Sequence, residues 1–263
     1  MKILITGGNG YVAKSIYNSL NDKYKITSIT RSNFDLTDYN QTCQWFDERE
    51  YDVVIHTAVN GGSRLKADNS SVVKNNIAMF ENLCANKSQF KKLISFGSGA
   101  EIFHSDTFYG ASKKIIADSI RSIPDFYNLR IFATFDQNEL DTRFIKANIK
   151  RYIKKEPIII HTDKIMDFFY TKDLVSLVDY YIQNSELKKE INCSYEYKYT
   201  LSNIANIINE LNDYKVPIHI DSKDKLEFYC GVHNEFPIKT IGLIEGIKQT
   251  YKLLYENSIN NRS

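Results

Sequence analysis

Apolar and polar positions alternate between two rhythms along the chain: short apolar runs, and longer stretches with a helical period. Ile3-Leu4-Ile5 reads as a buried strand, and from Tyr11 the apolar residues fall at Val12, Ile16 and Leu20, a helical spacing. Thr6-Gly7-Gly8-Asn9-Gly10 between them reads as a tight turn. Lys25 to Thr30 is rich in β-branched residues and predicts a second strand, followed by a polar turn and a helix starting near Asp38. Asp52 to Thr57 is apolar enough for a central strand of a parallel sheet. After a loop from Val59 to Gly62, a long helix is expected to bury Val72, Val73, Ile77, Phe80 and Leu83. Leu93 to Phe96 predicts a fourth strand that ends at Gly97-Ser98, Tyr109 to Ile123 a helix that stops before Pro124, and Leu129 to Thr134 a fifth strand. This alternation predicts an α/β fold with a doubly wound parallel sheet.

Past Thr134 the elements become shorter and less regular. The pattern predicts a basic helix from Arg143 to Lys155, a short strand at Ile158-Ile160, a helix from Lys172 to Ile182 and a strand from Glu190 to Cys193. A helix from Leu201 to Leu211, a strand from Pro217 to Ile220 and a last helix from Ile241 to Tyr255 follow. The expected division is a sheet domain over 1–137, to which 158–184 returns, and a smaller α/β C-terminal lobe made of 138–157 and 185–263. The polar tail from Asn257 is expected to fray.

Composition narrows the classes. With 43% hydrophobic and 25% charged residues in 263, the chain fits one globular unit or a large domain with a small annex. A net charge of +2 leaves no electrostatic footprint for nucleic acid. No apolar stretch approaches the length of a membrane span, and the first residues do not read as a signal peptide. Cys43, Cys84, Cys193 and Cys230 are scattered without a C-x-x-C pair, which predicts reduced thiols and a cytoplasmic location. His161, His219 and His233 form no metal-spaced set, so no metal is expected. His56, inside an apolar strand, reads as a satisfied core residue.

Three features carry chemistry. The first is the glycine turn between strand and helix. Gly7 can adopt a backbone forbidden to other residues, Gly10 lets a pyrophosphate approach the chain, and Ala13 lets the helix pack closely. The helix N-terminus then offers free N–H groups to phosphates. The second is Tyr109-x-x-x-Lys113. Residues four apart share a helix face, so the lysine ammonium can favour the phenolate and tune the tyrosine for proton transfer. The third is Ser98, at the C-terminal end of a strand, where open α/β sheets bind ligands.

Thr6-Gly7-x-x-Gly10-x-x-Ala13, the Asp35-Leu36-Thr37-Asp38 turn, Ser98 and Tyr109-x-x-x-Lys113 together resemble the extended short-chain dehydrogenases/reductases, the NAD-dependent epimerase/dehydratase family. The stretches TRSNFDLTD, DVVIHTAVNGG, KNNIAMFEN and KKLISFGSG are similar to the GDP-fucose synthase branch, the GDP-4-keto-6-deoxymannose epimerase/reductases. The resemblance implies a Rossmann-type domain with a substrate lobe, a nicotinamide cofactor, a nucleotide-diphosphate sugar as substrate and a homodimer. It implies Tyr109 as general acid/base, Lys113 as its tuning partner and a ribose ligand, and Ser98 as the hydrogen-bond donor to the substrate oxygen. Counting from the strand places the family's serine/threonine at Ser98; counting back from Ile102-Phe103 places it at Gly99. The strand side is preferred because the strand decides where the side chain emerges.

By the same resemblance Gly7, Asn9, Gly10, Tyr11, Val12, Ala58 and Asn76 border the cofactor, and Asp35 and Leu36 border the adenine. The second strand ends in Thr30-Arg31-Ser32 with no acid to accept from a ribose 2′-hydroxyl, and a guanidinium suits a phosphate. NADP(H) is therefore favoured, with NAD(H) as the alternative. Ser98, Glu101 and Arg143 are the candidate substrate contacts, Glu101 as a carboxylate base and Arg143 toward a diphosphate. Two departures narrow the chemistry. The branch's cysteine after the serine is replaced by Gly99-Ala100-Glu101, and Gln137 to Ile145 holds no histidine, which counts against 3,5-epimerisation. The Asp-Glu pair of the dehydratases is absent as well. The expected activity is reduction of a nucleotide-diphosphate 4-keto-(6-deoxy)sugar. The alternatives are a C4 epimerase or dehydrogenase with bound NAD, and a non-catalytic dinucleotide-binding regulator.

Overall fold

The computed structural model describes residues 1–63 and 66–260. The chain divides into two compact units: Met1–Ile131 with Val175–Asn192, and Phe132–Leu174 with Cys193–Ser263. The first unit contains β1 (Lys2–Thr6), α1 (Tyr11–Leu20), β2 (Lys25–Ile29), α2 (Tyr39–Phe46), β3 (Tyr51–His56), α3 (Ser70–Ala85), β4 (Phe90–Ser98), α4 (Ala100–Phe103), α5 (Phe108–Ser122) and β5 (Phe126–Ile131). The elements that follow are β6 (Thr134–Phe135), α6 (Phe144–Ile153), β7 (Ile158–Met166), β8 (Phe169–Tyr170), α7 (Thr171–Gln183), β9 (Glu190–Cys193), α8 (Leu201–Asn209), β10 (Ile218–Tyr229) and α9 (Leu243–Asn260).

The first unit is built on a six-stranded sheet in the order β2-β1-β3-β4-β5-β9. The β1–β2, β1–β3, β3–β4 and β4–β5 pairs all run parallel. Strands covered on both faces need unbroken apolar runs, and β1 buries Ile3, Leu4, Ile5 and Thr6. Leu4, Phe46, Val54, Leu83, Leu93 and Ile120 meet in its core. The strand order reverses between β1 and β3, so the loops at the C-terminal ends of these strands flank a topological switch point, the ordinary ligand crevice of such sheets. Helix starts follow local capping rules: the Asp38 carboxylate accepts from Gln41 N–H, and Thr107 Oγ1 from Gly110 N–H.

The second unit packs α6, α8 and α9 around Ile149, Tyr152, Ile158, Ile204, Ile208 and Ile247. Its strands form two parallel pairs, β7 with β10 and β6 with β8. Among the described residues no helix is long and apolar enough to cross a membrane.

Several boundaries differ from the expectation. The return to the sheet unit is Val175–Asn192, not 158–184, because β7 pairs with β10 and β8 with β6 inside the second unit. Asp173, at the head of α7, accepts from Ile241 N–H and Gly242 N–H of that same unit. The sheet unit ends at Ile131 rather than 137 for the same reason. On α3 the buried face carries Asn76, Met79 and Asn82 beside Val72, Phe80 and Leu83, while Val73 and Ile77 are only partly buried. Strands β7 and β10 extend well beyond the expected Ile158–Ile160 and Pro217–Ile220, since backbone pairing carries them through a polar stretch. The tail expected to fray from Asn257 is helical to Asn260, and 261–263 lie outside the described residues.

Candidate active site

The glycine turn sits at the end of β1. Thr6 Oγ1 bonds His56 Nδ1 (2.9 Å) and accepts from Ala58 N–H (3.3 Å), while Thr57 Oγ1 donates to Thr6 O (2.6 Å). These bonds stitch the ends of β1 and β3 and bring the Ala58 backbone against Gly7. A Cβ on Gly7 would lie 2.7 Å from Ala58 Cα and N, and its φ of +72° is left-handed, so only glycine fits. Gly8 N–H donates to Ile29 O and Gly10 N–H to Gly7 O, both at 2.8 Å, which closes the turn. Gly10 is the N-cap of α1 and brings no side-chain cap to the amides of Tyr11 and Val12. Asn9 and Gly10 are exposed. A bare glycine turn leading into an uncapped helix N-terminus fits the pyrophosphate of a dinucleotide.

At the end of β2, the Arg31 side chain is 71% exposed, with Nε 3.9 Å from Asp35 Oδ2. Asp35 accepts from Thr37 N–H and Thr37 Oγ1, and these bonds hold its carboxyl below the usual range. The Leu36 side chain packs in the core of the sheet unit and its carbonyl accepts from Asn82 Nδ2, so of the two residues expected beside the adenine Asp35 has the open side chain.

The proton-transfer residues gather around the C-terminal end of β4. Lys113 Nζ donates to Phe96 O at 2.7 Å and lies 5.9 Å from the centroid of the Tyr109 ring. Burial lowers Lys113 to about 8, opposed by the negative charge of Glu101. Tyr109 is the second residue of α5 and half-buried. Two glycines hold it in place. A Cβ on Gly62 would stand 2.8 Å from the Tyr109 ring, and one on Gly110 would collide with His104 O and Ala100 O, so α5 packs on α4 in backbone contact. Ser98 is buried and Ser98 Oγ accepts from Ala100 N–H at 3.2 Å, which leaves the hydroxyl hydrogen to donate. His56 is the satisfied core residue that its apolar strand implied; burial, with the Lys113 charge adding to it, lowers it to about 3, so it is neutral.

Two expected ligand contacts are corrected. Glu101 is 6% exposed, not an open loop carboxylate: Oε1 accepts from Ser98 N–H (2.7 Å) and Oε2 from Arg130 Nε (2.7 Å). A carboxylate so engaged is not a general base. Asn76 is buried and donates to Asn60 O and Ser112 Oγ while accepting from Asn60 N–H. One of its N–H donors holds the loop that carries Gly61 and Gly62 to α3, and the other ties α3 to α5. Arg143 lies in the second unit, where its basic helix was expected, exposed at the N-cap of α6. The structure groups Ser98, Tyr109 and Lys113 on neighbouring elements of one unit. The sequence reading missed Gly62 and the buried role of Glu101. The Gly61-Gly62 pair, with φ of +80° and +72°, was the available signal.

The chain is similar in fold to several solved enzymes. It aligns with a GDP-6-OMe-4-keto-L-xylo-heptose reductase from C. jejuni at 15% identity and a TM-score of 0.78, covering 97% of this chain and 98% of that one. A GDP-L-fucose synthetase from Naegleria fowleri bound to NADP gives 16% identity and 0.74, covering 100% and 95%. A UDP-glucose 4-epimerase from Thermotoga maritima, solved with UDP-glucose, gives 15% and 0.76, covering 99% and 100%. No curated protein matches the chain in sequence. The family described as "NAD dependent epimerase/dehydratase family" matches residues 3–194. That match spans most of the chain, including the glycine turn, Ser98, Tyr109 and Lys113, and the protein belongs to the NAD-dependent epimerase/dehydratase family.

Proposed function

We propose that this enzyme is an NADPH-dependent reductase of a nucleotide-diphosphate 4-keto-(6-deoxy)sugar. The observation that carries the reading is the Lys113 ammonium, anchored to Phe96 O beside the Tyr109 ring. A phenol that gives up its proton becomes an anion, and a fixed cation beside it stabilises that anion. A dinucleotide held at the glycine turn would supply the hydride for the carbonyl carbon. Tyr109 Oη gives its proton to the carbonyl oxygen, and Ser98 Oγ donates a hydrogen bond to the same oxygen. Lys113, lowered to about 8, is still mostly an ammonium at neutral pH and supports the Tyr109 phenolate until water reprotonates it.

Gly7 to Val12 and the Ala58 backbone would hold the pyrophosphate end. NADP(H) is supported by Arg31, whose exposed guanidinium follows β2 where NAD-binding sheets carry an acid. Similarity to a GDP-mannoheptose C4 reductase from Campylobacter jejuni with NADP bound supports the substrate class.

The test is NADPH oxidation against a panel of 4-keto-6-deoxy nucleotide sugars. Tyr109→Phe is expected to lower kcat by about 100- to 10,000-fold with NADPH affinity nearly unchanged; an unchanged rate overturns the assignment. Arg31→Ser is expected to weaken NADPH binding by about 10-fold or more, the loss of a charge-assisted phosphate contact, and to leave NADH binding unaltered. Equal effects on both cofactors would count against the phosphate role.

A further inference from the structure

Glu101 is a buried carboxylate one turn beyond the strand that presents Ser98, and the chemistry above gives it no part. Its surroundings form a clamp on the last three residues of β4. Phe96 O is held by Lys113 Nζ at 2.7 Å, and Ser98 N–H by Glu101 Oε1 at 2.7 Å. Gly97 lies between them, and a Cβ there would collide with Glu101 Oε1 and stand 2.6 Å from Asn128 Oδ1. The other carboxylate oxygen is held by Arg130 Nε at 2.7 Å, and Arg130 is in turn paired with Glu190 at 3.0 Å.

We propose that Glu101 is a positioning residue of this site: its carboxylate fixes the Phe96-Gly97-Ser98 end of β4, to which the Ser98 hydroxyl and the Lys113 ammonium are both tied, and it supplies the counter-charge to that ammonium. The proposal rests on the reductase reading for its catalytic consequence. Two charged or titratable groups bear on Lys113 from packed elements. Glu101 on α4 favours the ammonium; His56 on β3 is buried and neutral. Tyr109 comes from its own helix, and the Arg130 charge is matched by Glu101 and Glu190. Glu101 is thus the one acid named among these that opposes the effect of burial on Lys113.

One arm of the test needs no substrate. Lysines carrying 13C at Cε are titrated by NMR, with Lys113→Met assigning the resonance. Glu101→Gln, which keeps an acceptor for Ser98 N–H but removes the charge, is expected to lower the Lys113 midpoint by about one pH unit. An unchanged midpoint overturns the proposal. In the second arm, the same variant is expected to lower kcat by about 10- to 100-fold, with the NADPH dissociation constant unchanged and the alkaline limb of the kcat profile moved down with the midpoint. A loss in KM alone overturns positioning. If the wild-type protein reduces no sugar of the panel, the reductase reading falls while the NMR arm still decides the role of Glu101. Should Glu101→Gln fail to fold by circular dichroism, Glu101→Asp keeps the charge but shortens the reach to Ser98 N–H: kcat is then expected to fall with the Lys113 midpoint nearly unchanged, and an unchanged kcat overturns positioning.

Discussion

His56 and Glu139 bind protons differently in the folded and unfolded chain, and each makes stability depend on pH in its own direction. His56 is held neutral by burial, at about 3 against 6.5 for the free side chain. As pH falls from 6.5 toward 3, the unfolded chain takes up the proton and the folded one does not, so stability falls by about 1.4 kcal/mol per unit. Urea unfolding of His56→Gln across this range is expected to show a flatter acid limb than the wild type. Glu139, 5% exposed in the second unit, is pushed up by burial to about 8 from 4.5. Here the folded chain keeps a proton that the unfolded chain has lost, so stability falls as pH rises from 4.5 to 8. Glu139→Gln should therefore stabilise the protein more at pH 8 than at pH 5, by up to about 1.4 kcal/mol for each intervening unit. Equal stabilisation at both pH values would show that Glu139 is ionised in the fold.

Elements in this protein are positioned by close backbone approaches as much as by apolar faces. Helix α5 buries Ile116, Ala117 and Ile120, which its periodicity announces, but its first turn is set by Gly110 against the carbonyls of His104 and Ala100. Because the obstacle is backbone, it cannot move aside as a side chain would. Gly110→Ala is expected to displace the head of α5, and Tyr109 with it: thermal unfolding should drop by several degrees and turnover should fall with it. A variant with wild-type activity would mean that α4 yields instead. Helix α2 offers a milder case. Its N-cap Asp38 accepts from Gln41 N–H at 3.0 Å, and Asp38→Ala should cost about 1 kcal/mol in a urea titration while turnover per folded molecule stays unchanged.

At the scale of the whole molecule, the chain leaves the sheet unit after Ile131 and returns at Val175 to supply its last strand. The return is tied down by polar bonds as well as packing. Asn128 N–H donates to Lys189 O at 2.8 Å, Lys92 Nζ donates to Tyr181 O at 2.6 Å, and Arg130 Nη1 donates to Asn192 Oδ1 at 2.8 Å. A fragment that stops at Ile131 keeps β1 to β5 but exposes β5 as an edge and strips Arg130 of Glu190 and Asn192. It is expected to show no cooperative urea transition, while the complete chain does; a cooperative fragment would show that β9 is dispensable.

The α/β alternation, the glycine turn, and the pairing of Tyr109 with Lys113 were legible in the sequence because each is local. Strand and helix periods repeat within a few residues, a tight turn needs glycine where it stands, and residues four apart share a helix face. The tertiary structure alone decided what joins residues far apart in the chain. Glu101 reads as a carboxylate base at the substrate until Arg130 and the Ser98 N–H close on it, and Asn76 reads as a cofactor contact until Asn60 and Ser112 engage its amide. The polar stretches in the middle of β7 and β10 carry no strand pattern of their own, since only their pairing satisfies the backbone. A buried polar group is defined by the partners that surround it, and those partners come from strands and helices that the sequence holds tens of residues apart.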